Sequence, residues 1–359
     1  MKLICAPMAT LSHEAFRCIL EYFGGCDEYY TEMINAGSLL TRGPFEKYYL
    51  LSGPVPQKIV WQLTGKKTEQ LAAAAAVVAE QGGAGVDLNM GCSAPEIYRS
   101  GAGIAWMCKP VAETRAMVAS VRNSLDRAAG SDASALRLSV KLRLGDENFT
   151  EKSFFDFCDM LVDEGVTRLT LHPRTRKEKY RSPPRWEYVR KLSEHFAGKN
   201  ISVILNGNVT DSVSAAAALS VCPNVDGIMI GRAAVKKPWI FAEIREETGL
   251  KSDSGNTISA GPDGIRNNIF IVRNGNGEKQ IDLLQIALSY INFVQQYQPE
   301  EFWKTRLQRF FMYYCTNFSF AHYAQTQMLN APDIESSVQR ITDYFRKVPE
   351  DRYLTASFM

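Results

Sequence analysis

The chain has 359 residues, 45% hydrophobic and 22% charged, with a formal net charge of +2. That length exceeds the usual single-core limit, so one large domain and a smaller one are expected. No apolar run approaches the ~20 residues needed to span a bilayer. The start, Met1-Lys2-Leu3-Ile4-Cys5-Ala6-Pro7, is too quickly broken by proline for a signal peptide, so a cytoplasmic location without a membrane partner is expected. The eight cysteines (Cys5, Cys18, Cys26, Cys92, Cys108, Cys158, Cys222 and Cys315) form no CxxC or CxxH. That spacing argues against a metal site or a disulfide framework, and all but Cys92 read as small buried apolar residues.

Short β-branched or apolar runs alternate with helical patterns from the first residue. Strands are expected over 2–8, 28–34, 58–64, 85–91, 137–145, 168–174, 202–208 and 226–232. Helices are expected over 68–81, 110–125, 151–164, 186–196 and 211–220, the last opening at Asp211 as its cap. Eight strand–helix units in about 245 residues match an α/β (β/α)8 TIM barrel in number and length. A doubly wound open sheet is the competitor, but no Gly-x-Gly-x-x-Gly follows the first strand.

Residues 1–245 thus read as the barrel. Residues 246–282 read as a linker holding a β-hairpin around Asn274-Gly275-Asn276-Gly277. From 283 to 359 the spacing turns helical, with Leu284, Ile286, Ala287, Tyr290, Ile291 and Val294 as one early stripe, which suggests a compact helical domain.

Chemistry in such a barrel occupies the C-terminal strand ends. Here those ends carry Pro7-Met8-Ala9, Glu32, Gln62, Asn89 with Cys92, Lys141 with Arg143, His172 with Arg174, Asn206-Gly207-Asn208 and Gly231-Arg232. A thiol delivered at a strand mouth can donate a proton, attack a carbon or bind a metal. Small residues after strands seven and eight let backbone N–H groups approach an anion, and Arg232 adds a charged fork. Lys141 lies between Val140 and Leu142, in a strand that should be buried on both faces. A phosphate site with Lys, Gln and His donors suits flavin mononucleotide (FMN): Lys141 would stabilise charge on the reduced ring, Gln62 would bond its edge, and Met8 would pack against it. The spacing itself reaches a phosphorylated ligand in a barrel with one thiol nearby. The basic run of Arg174, Arg176, Lys177, Lys179, Arg181, Arg185, Arg190 and Lys191 is either a solvated loop or a phosphate-facing patch.

The whole set, in order, resembles the tRNA-dihydrouridine synthase family. The matching pieces are Ala6-Pro7-Met8-Ala9, Gln62-Leu63-x-Gly65, Asp87-Leu88-Asn89-Met90-Gly91-Cys92, Gly101-Ala102-Gly103, Val140-Lys141-Leu142-Arg143-Leu144-Gly145, Leu171-His172-Pro173-Arg174-Thr175, Asn206-Gly207-Asn208, and Met229-Ile230-Gly231-Arg232 leading into Pro238-Trp239. The resemblance implies FMN held by Pro7, Met8, Ala9, Gln62, Lys141, His172, Asn206, Gly207, Asn208, Gly231 and Arg232, recharged by NADPH or NADH. It implies hydride transfer to C6 of a tRNA uridine, and a proton to C5 from Cys92 as general acid. Asn89, Arg143, Arg174, Arg176, Lys304 and Arg306, with Arg309, are candidates to hold the substrate, and a monomer is expected. Two positions depart from the family pattern: Ser93 stands where it has proline, and Pro173 where it has glycine. An FMN barrel acting on a free pyrimidine or enone, or an inactive tRNA-binding protein, are the rival readings. The helical tail and basic rim speak against the first, and the retention of Cys92, Lys141 and His172 together against the second.

Overall fold

A computed structural model describes residues 1–129, 136–178, 181–250 and 269–355. Eight strands form the barrel: β1 (Lys2–Cys5), β2 (Glu28–Tyr30), β3 (Ile59–Thr64), β4 (Gly85–Met90), β5 (Arg137–Leu142), β6 (Arg168–Leu171), β7 (Ser202–Asn206) and β8 (Gly227–Ile230). Each pairs in parallel with the next, and β8 returns to β1 through Lys2–Gly227 to Cys5–Ile230, which closes the sheet. A two-residue strand, Ile34–Asn35, leans on the end of β3. Every expected strand forms. The expected ranges ran long because they included the loop residues that leave each strand.

The short helix Ala36–Thr41 follows β2, and longer helices follow the other strands. These are α1 (Glu14–Glu21), α2 (Thr68–Ala79), α3 (Val111–Ala129), α4 (Glu151–Asp163), α5 (Trp186–His195), α6 (Ser212–Val221) and α7 (Ile240–Thr248). Asp211 caps α6 as expected: its carboxylate accepts from Ser214 N, and the Ser214 hydroxyl accepts from Asp211 N. No helix among the described residues is long and apolar enough to cross a membrane.

The sheet buries both faces, so the strand alternation divides the side chains between two environments. Val86, Leu88, Met90, Leu138, Val140, Leu142, Leu169 and Leu171 face the helices in one large core. Ile4, Ala6, Tyr30, Val60, Ile204 and Met229 form a separate cluster in the lumen. The remaining lumen positions are polar. At the N-terminal end, the Glu28 carboxylate accepts from Lys2 at 2.7 Å, Arg137 at 2.6 Å and Arg168 at 2.5 Å, and plugs the barrel with charge.

The second region differs from expectation. Residues 246–248 belong to α7, which Gly249 ends in the left-handed conformation (φ 70°). The hairpin forms as β9 (Ile271–Arg273) and β10 (Lys279–Asp282), but β11 (Tyr353–Thr355) joins it as a third strand. The insert residues 251–268 lie outside the described residues. Helices α8 (Leu283–Tyr297), α9 (Glu300–Tyr314), α10 (Ala321–Leu329) and α11 (Ile334–Lys347) make up the tail. The tail is docked on the barrel: Phe310 meets Phe16 of α1 edge-on, and Phe270 and Phe293 flank Tyr22. All eight cysteines are free, and Cys108 is exposed rather than buried.

Burial opposes ionisation of Glu28, yet Arg168, Arg137 and the bond from Lys2 outweigh it and bring its carboxyl from 4.5 to about 2. A depressed carboxyl stabilises the fold above its unfolded value, and that contribution is lost as pH falls from 4.5 towards 2. Glu28→Ala leaves the buried Arg168 and the half-buried Lys2 and Arg137 uncompensated, so urea unfolding at neutral pH should show a loss of about 3 kcal/mol. The difference from wild type should shrink in acid.

Candidate active site

A cavity of about 670 Å³ opens at the C-terminal mouth of the barrel. It is lined by Pro7, Met8, Lys141, His172, Arg174, Asn206, Gly207, Asn208, Gly231 and Arg232, ten residues singled out by their strand-end positions. Ala9 is exposed and outside this lining. Val209, Thr210, Asp211, Lys236, Lys237, Tyr313 and Thr316 also line it. The pair Lys236-Lys237, one turn beyond Arg232, was visible as basic residues after the last strand. Tyr313 and Thr316 come from the tail, and nothing in their local sequence marks them.

The backbone on one side of the cavity is tightly specified. Gly207 has φ 120°, and a Cβ there would stand 2.9 Å from His172 Cδ2. Asn208 is left-handed (φ 59°), which asparagine tolerates better than most residues. The Asn206 amide is fixed by donation to Met229 O at 2.8 Å. On the opposite side, Met8 N donates to Ser12 Oγ, which donates back to Ala6 O, so the Pro7-Met8-Ala9 turn is held from within.

His172 and Arg174 act as a unit. Arg174 is buried, and its guanidinium donates to Ser182 O at 2.7 Å and Asn208 Oδ1 at 3.1 Å, and meets His172 Nε2 at 2.7 Å. A guanidinium only donates, so His172 Nε2 accepts and its proton sits on Nδ1. Burial, then Lys141, Arg143, Arg174 and Arg232, push the imidazole pKa far down and hold it neutral. Lys141 sits beside it on β5. Burial and then Arg143 lower its ammonium pKa to about 8, against the pull of Asp87 and Cys92.

Cys92 is half-buried, on the loop leaving β4. Its N–H donates to Asn89 Oδ1 at 2.9 Å, and its carbonyl accepts from Ile104 N at 3.1 Å. Gly103 (φ 62°) is required there, because a Cβ would lie 2.7 Å from Cys92 O. Gln62 is fully buried and does not line the cavity; its amide donates to Asp87 and accepts from Asn89. Both Gln62 and Asn89 therefore brace the thiol loop from below.

The arginines expected to meet substrate are placed differently. Arg143 is buried and donates to Gly91 O and Thr175 O, tying two mouth loops together. Arg176 pairs with Asp146 at 2.9 Å and lies over the Tyr98 ring. Arg306 is 2% exposed and pairs with Glu32 at 2.8 Å, so it joins the tail to the barrel instead of facing outward. Lys304 and Arg309 remain on the surface. The basic run is largely neutralised locally: Lys177, Arg185, Arg190 and Lys191 each face a carboxylate (Glu147, Glu178, Glu194 and Glu151), and Lys179 lies outside the described residues.

Fold and site together define a closed (β/α)8 barrel with a donor-rich cavity and a thiol loop at its catalytic end. The dihydrouridine synthase family model matches residues 4–328, and the chain belongs to that family. It is 30% identical over 263 residues to the probable tRNA-dihydrouridine synthase of Aquifex aeolicus (strain VF5), covering 70% of this chain and 76% of that one. It is 28% identical over 244 residues to tRNA-dihydrouridine synthase B of Klebsiella pneumoniae, covering 68% and 71%. Among solved structures, morphinone reductase in complex with tetrahydroNAD is a distant likeness, with a TM-score of 0.43 and 14% identity over 71% of this chain and 89% of that one.

Gly207→Ala should displace His172 and narrow the cavity. Isothermal titration with the cavity's ligand should show at least a tenfold loss of affinity, and thermal unfolding a loss of about 1–3 kcal/mol from the disfavoured backbone.

Proposed function

We propose that this chain reduces a uridine of tRNA to 5,6-dihydrouridine, with FMN in the mouth cavity and NADPH or NADH as the source of electrons. The observation that carries this reading is the Cys92 thiol, outside the cavity lining but close enough to act on the Lys141 ammonium that lines it, in a member of the dihydrouridine synthase family. The residues present fit the cofactor. A volume of about 670 Å³ lies within the ~300–1,000 Å³ of small-molecule sites. Gly207 and Gly231 leave room for close backbone approach, Arg232 and Lys236 supply charge for a phosphate, and Lys141 supplies charge on another wall. When bound, FMN would supply the two-electron chemistry that links hydride from the nicotinamide to hydride at C6 of the uracil ring.

The protein's own groups do the rest. Cys92 gives its proton to C5 as general acid, and the thiolate left behind regains a proton from water. Lys141 would offset negative charge on the flavin ring, and neutral His172 would offer Nδ1–H as a donor. Asn208 and Arg232 would hold the phosphate end. The target base must leave its stack to reach the cavity, at a cost of a few kcal/mol. Lys304 and Arg309, exposed on the tail, would meet RNA phosphates during that step. A cytoplasmic, monomeric protein remains part of this reading.

Purified protein should carry a flavin absorption spectrum, and a colourless protein that binds no FMN would overturn the proposal. Cys92→Ala should keep its flavin and still oxidise nicotinamide, while dihydrouridine formation, read by mass spectrometry of tRNA, falls by about 10²–10⁴. The Lys141 ammonium is present below about pH 8 and lost above it. FMN reduction should therefore slow as pH rises through 8, and Lys141→Met should flatten that limb.

A further inference from the structure

Below the cavity runs a line of side chains whose hydrogen bonds all point one way. Asp87, fully buried in the lumen, accepts from Gln62 Nε2 at 2.8 Å and from Ser139 Oγ at 2.7 Å. Gln62 Oε1 accepts from Asn89 Nδ2 at 2.8 Å. Asn89 Oδ1 accepts from Cys92 N at 2.9 Å and Gly91 N at 3.2 Å. The two ends have fixed polarity: an ionised carboxylate can only accept, and a backbone N–H can only donate. Gln62 must therefore turn its NH₂ towards Asp87 and its carbonyl towards Asn89. Asn89 must in turn offer its carbonyl to the thiol loop.

We propose that Asp87 is a positioning residue for the reaction, setting the Cys92 loop through the enforced orientation of Gln62 and Asn89. This rests on the reading of Cys92 as the proton donor. The loop lacks the proline that the family carries after its cysteine, and the side chain of Asn89 supplies two of the bonds that hold it. A donor held this way stays in place only while the line keeps its direction.

The charge that sets the direction is itself titratable. Burial raises the Asp87 carboxyl to about 6, against the hydrogen bonds from Gln62 and Ser139 and the charges of Lys141 and Arg137 on β5. From β2 the group facing it is the Tyr30 phenol, and β3 contributes only neutral Gln62. Once protonated, the carboxyl can donate as well as accept, and the orientation of Gln62 is no longer enforced.

The test uses flavin-loaded protein and separates flavin reduction by nicotinamide from flavin reoxidation by tRNA in stopped flow. In Asp87→Ala and Gln62→Met the tRNA step should fall at least tenfold more than the nicotinamide step. Hydrogen exchange at the Gly91 and Cys92 amides should quicken about tenfold in both. Asp87→Asn, which like the protonated carboxyl can donate as well as accept, should slow the tRNA step at neutral pH to the level that wild type reaches in acid. It should also lose the acid limb that wild type shows near pH 6. Equal loss in both half-reactions, unchanged amide exchange, or an asparagine variant with the full tRNA step at neutral pH would overturn the proposal, and Gln62→Met keeps it testable if Asp87→Ala does not fold. Cys92→Ala in the same assay separates the two claims. If it retains the tRNA step, the proton-donor reading fails; if it alone loses that step, only the role of Asp87 fails.

Discussion

A closed parallel sheet leaves no strand face in water, and this constraint organises the rest of the molecule. Every polar side chain on the inner face must find its partner inside the lumen, because an unpaired buried group costs about 1–3 kcal/mol and a charge more. The chain meets the requirement in layers. Glu28 gathers Lys2, Arg137 and Arg168 at the closed end. Asp87, Ser139, Gln62 and Asn89 satisfy one another in the middle. At the C-terminal mouth, Lys141, His172 and Asn206 line the large cavity. Apart from Thr170 Oγ1 and Arg137 Nε, which find no partner, the layers beneath the mouth are paired and hold its loops still.

The tail belongs to the same argument. Glu32, at the end of β2, accepts from Thr10 N just beyond the Pro7-Met8-Ala9 turn and pairs with Arg306 of α9. Tyr313 and Thr316 line the cavity wall, and Asn317 donates to Lys236 O at 2.6 Å, at the end of the short helix opened by Arg232. The cavity is therefore framed from both regions, and a force on the tail reaches the Met8 turn through one buried ion pair. A substrate as large as folded RNA, engaging Lys304 or Arg309 on that tail, would pull on the same elements that line the cavity.

Much of this was legible in the residue order. Eight strands followed from apolar runs ending in glycine, proline or polar residues, and the strand ends located ten cavity-lining groups, because in this fold position along the strand decides what a side chain faces. What could not be read was partnership. Arg306, Arg176 and Arg143 have the composition of phosphate binders, but Glu32, Asp146 and the carbonyls of Gly91 and Thr175 claim them from distant parts of the chain. Gln62 was expected at the ligand edge, yet its register places it against Asp87 and Asn89. Lys141 and His172 escaped such misplacement because both stand at the C-terminal ends of their strands, where the cavity opens.

The two departures from the family pattern follow the same physics. Pro173 occupies the centre of a tight turn in which Arg174 N donates to His172 O at 2.7 Å, a geometry that its fixed φ favours. The N–H it lacks is not needed there, since the Pro173 carbonyl accepts from Arg185 and the cavity's donors come from His172 and Arg174 themselves. Ser93 leaves the thiol loop without its usual ring, but Pro95 opens the short helix Pro95–Arg99 two residues later. Ile104 N and the close approach of Gly103 clamp Cys92 from the other side. With Asn89 beneath and Gly103 alongside, rigidity has moved from the residue after the cysteine to the residues around it. The loop's order therefore rests on a line of oriented amides that ends at one buried carboxylate.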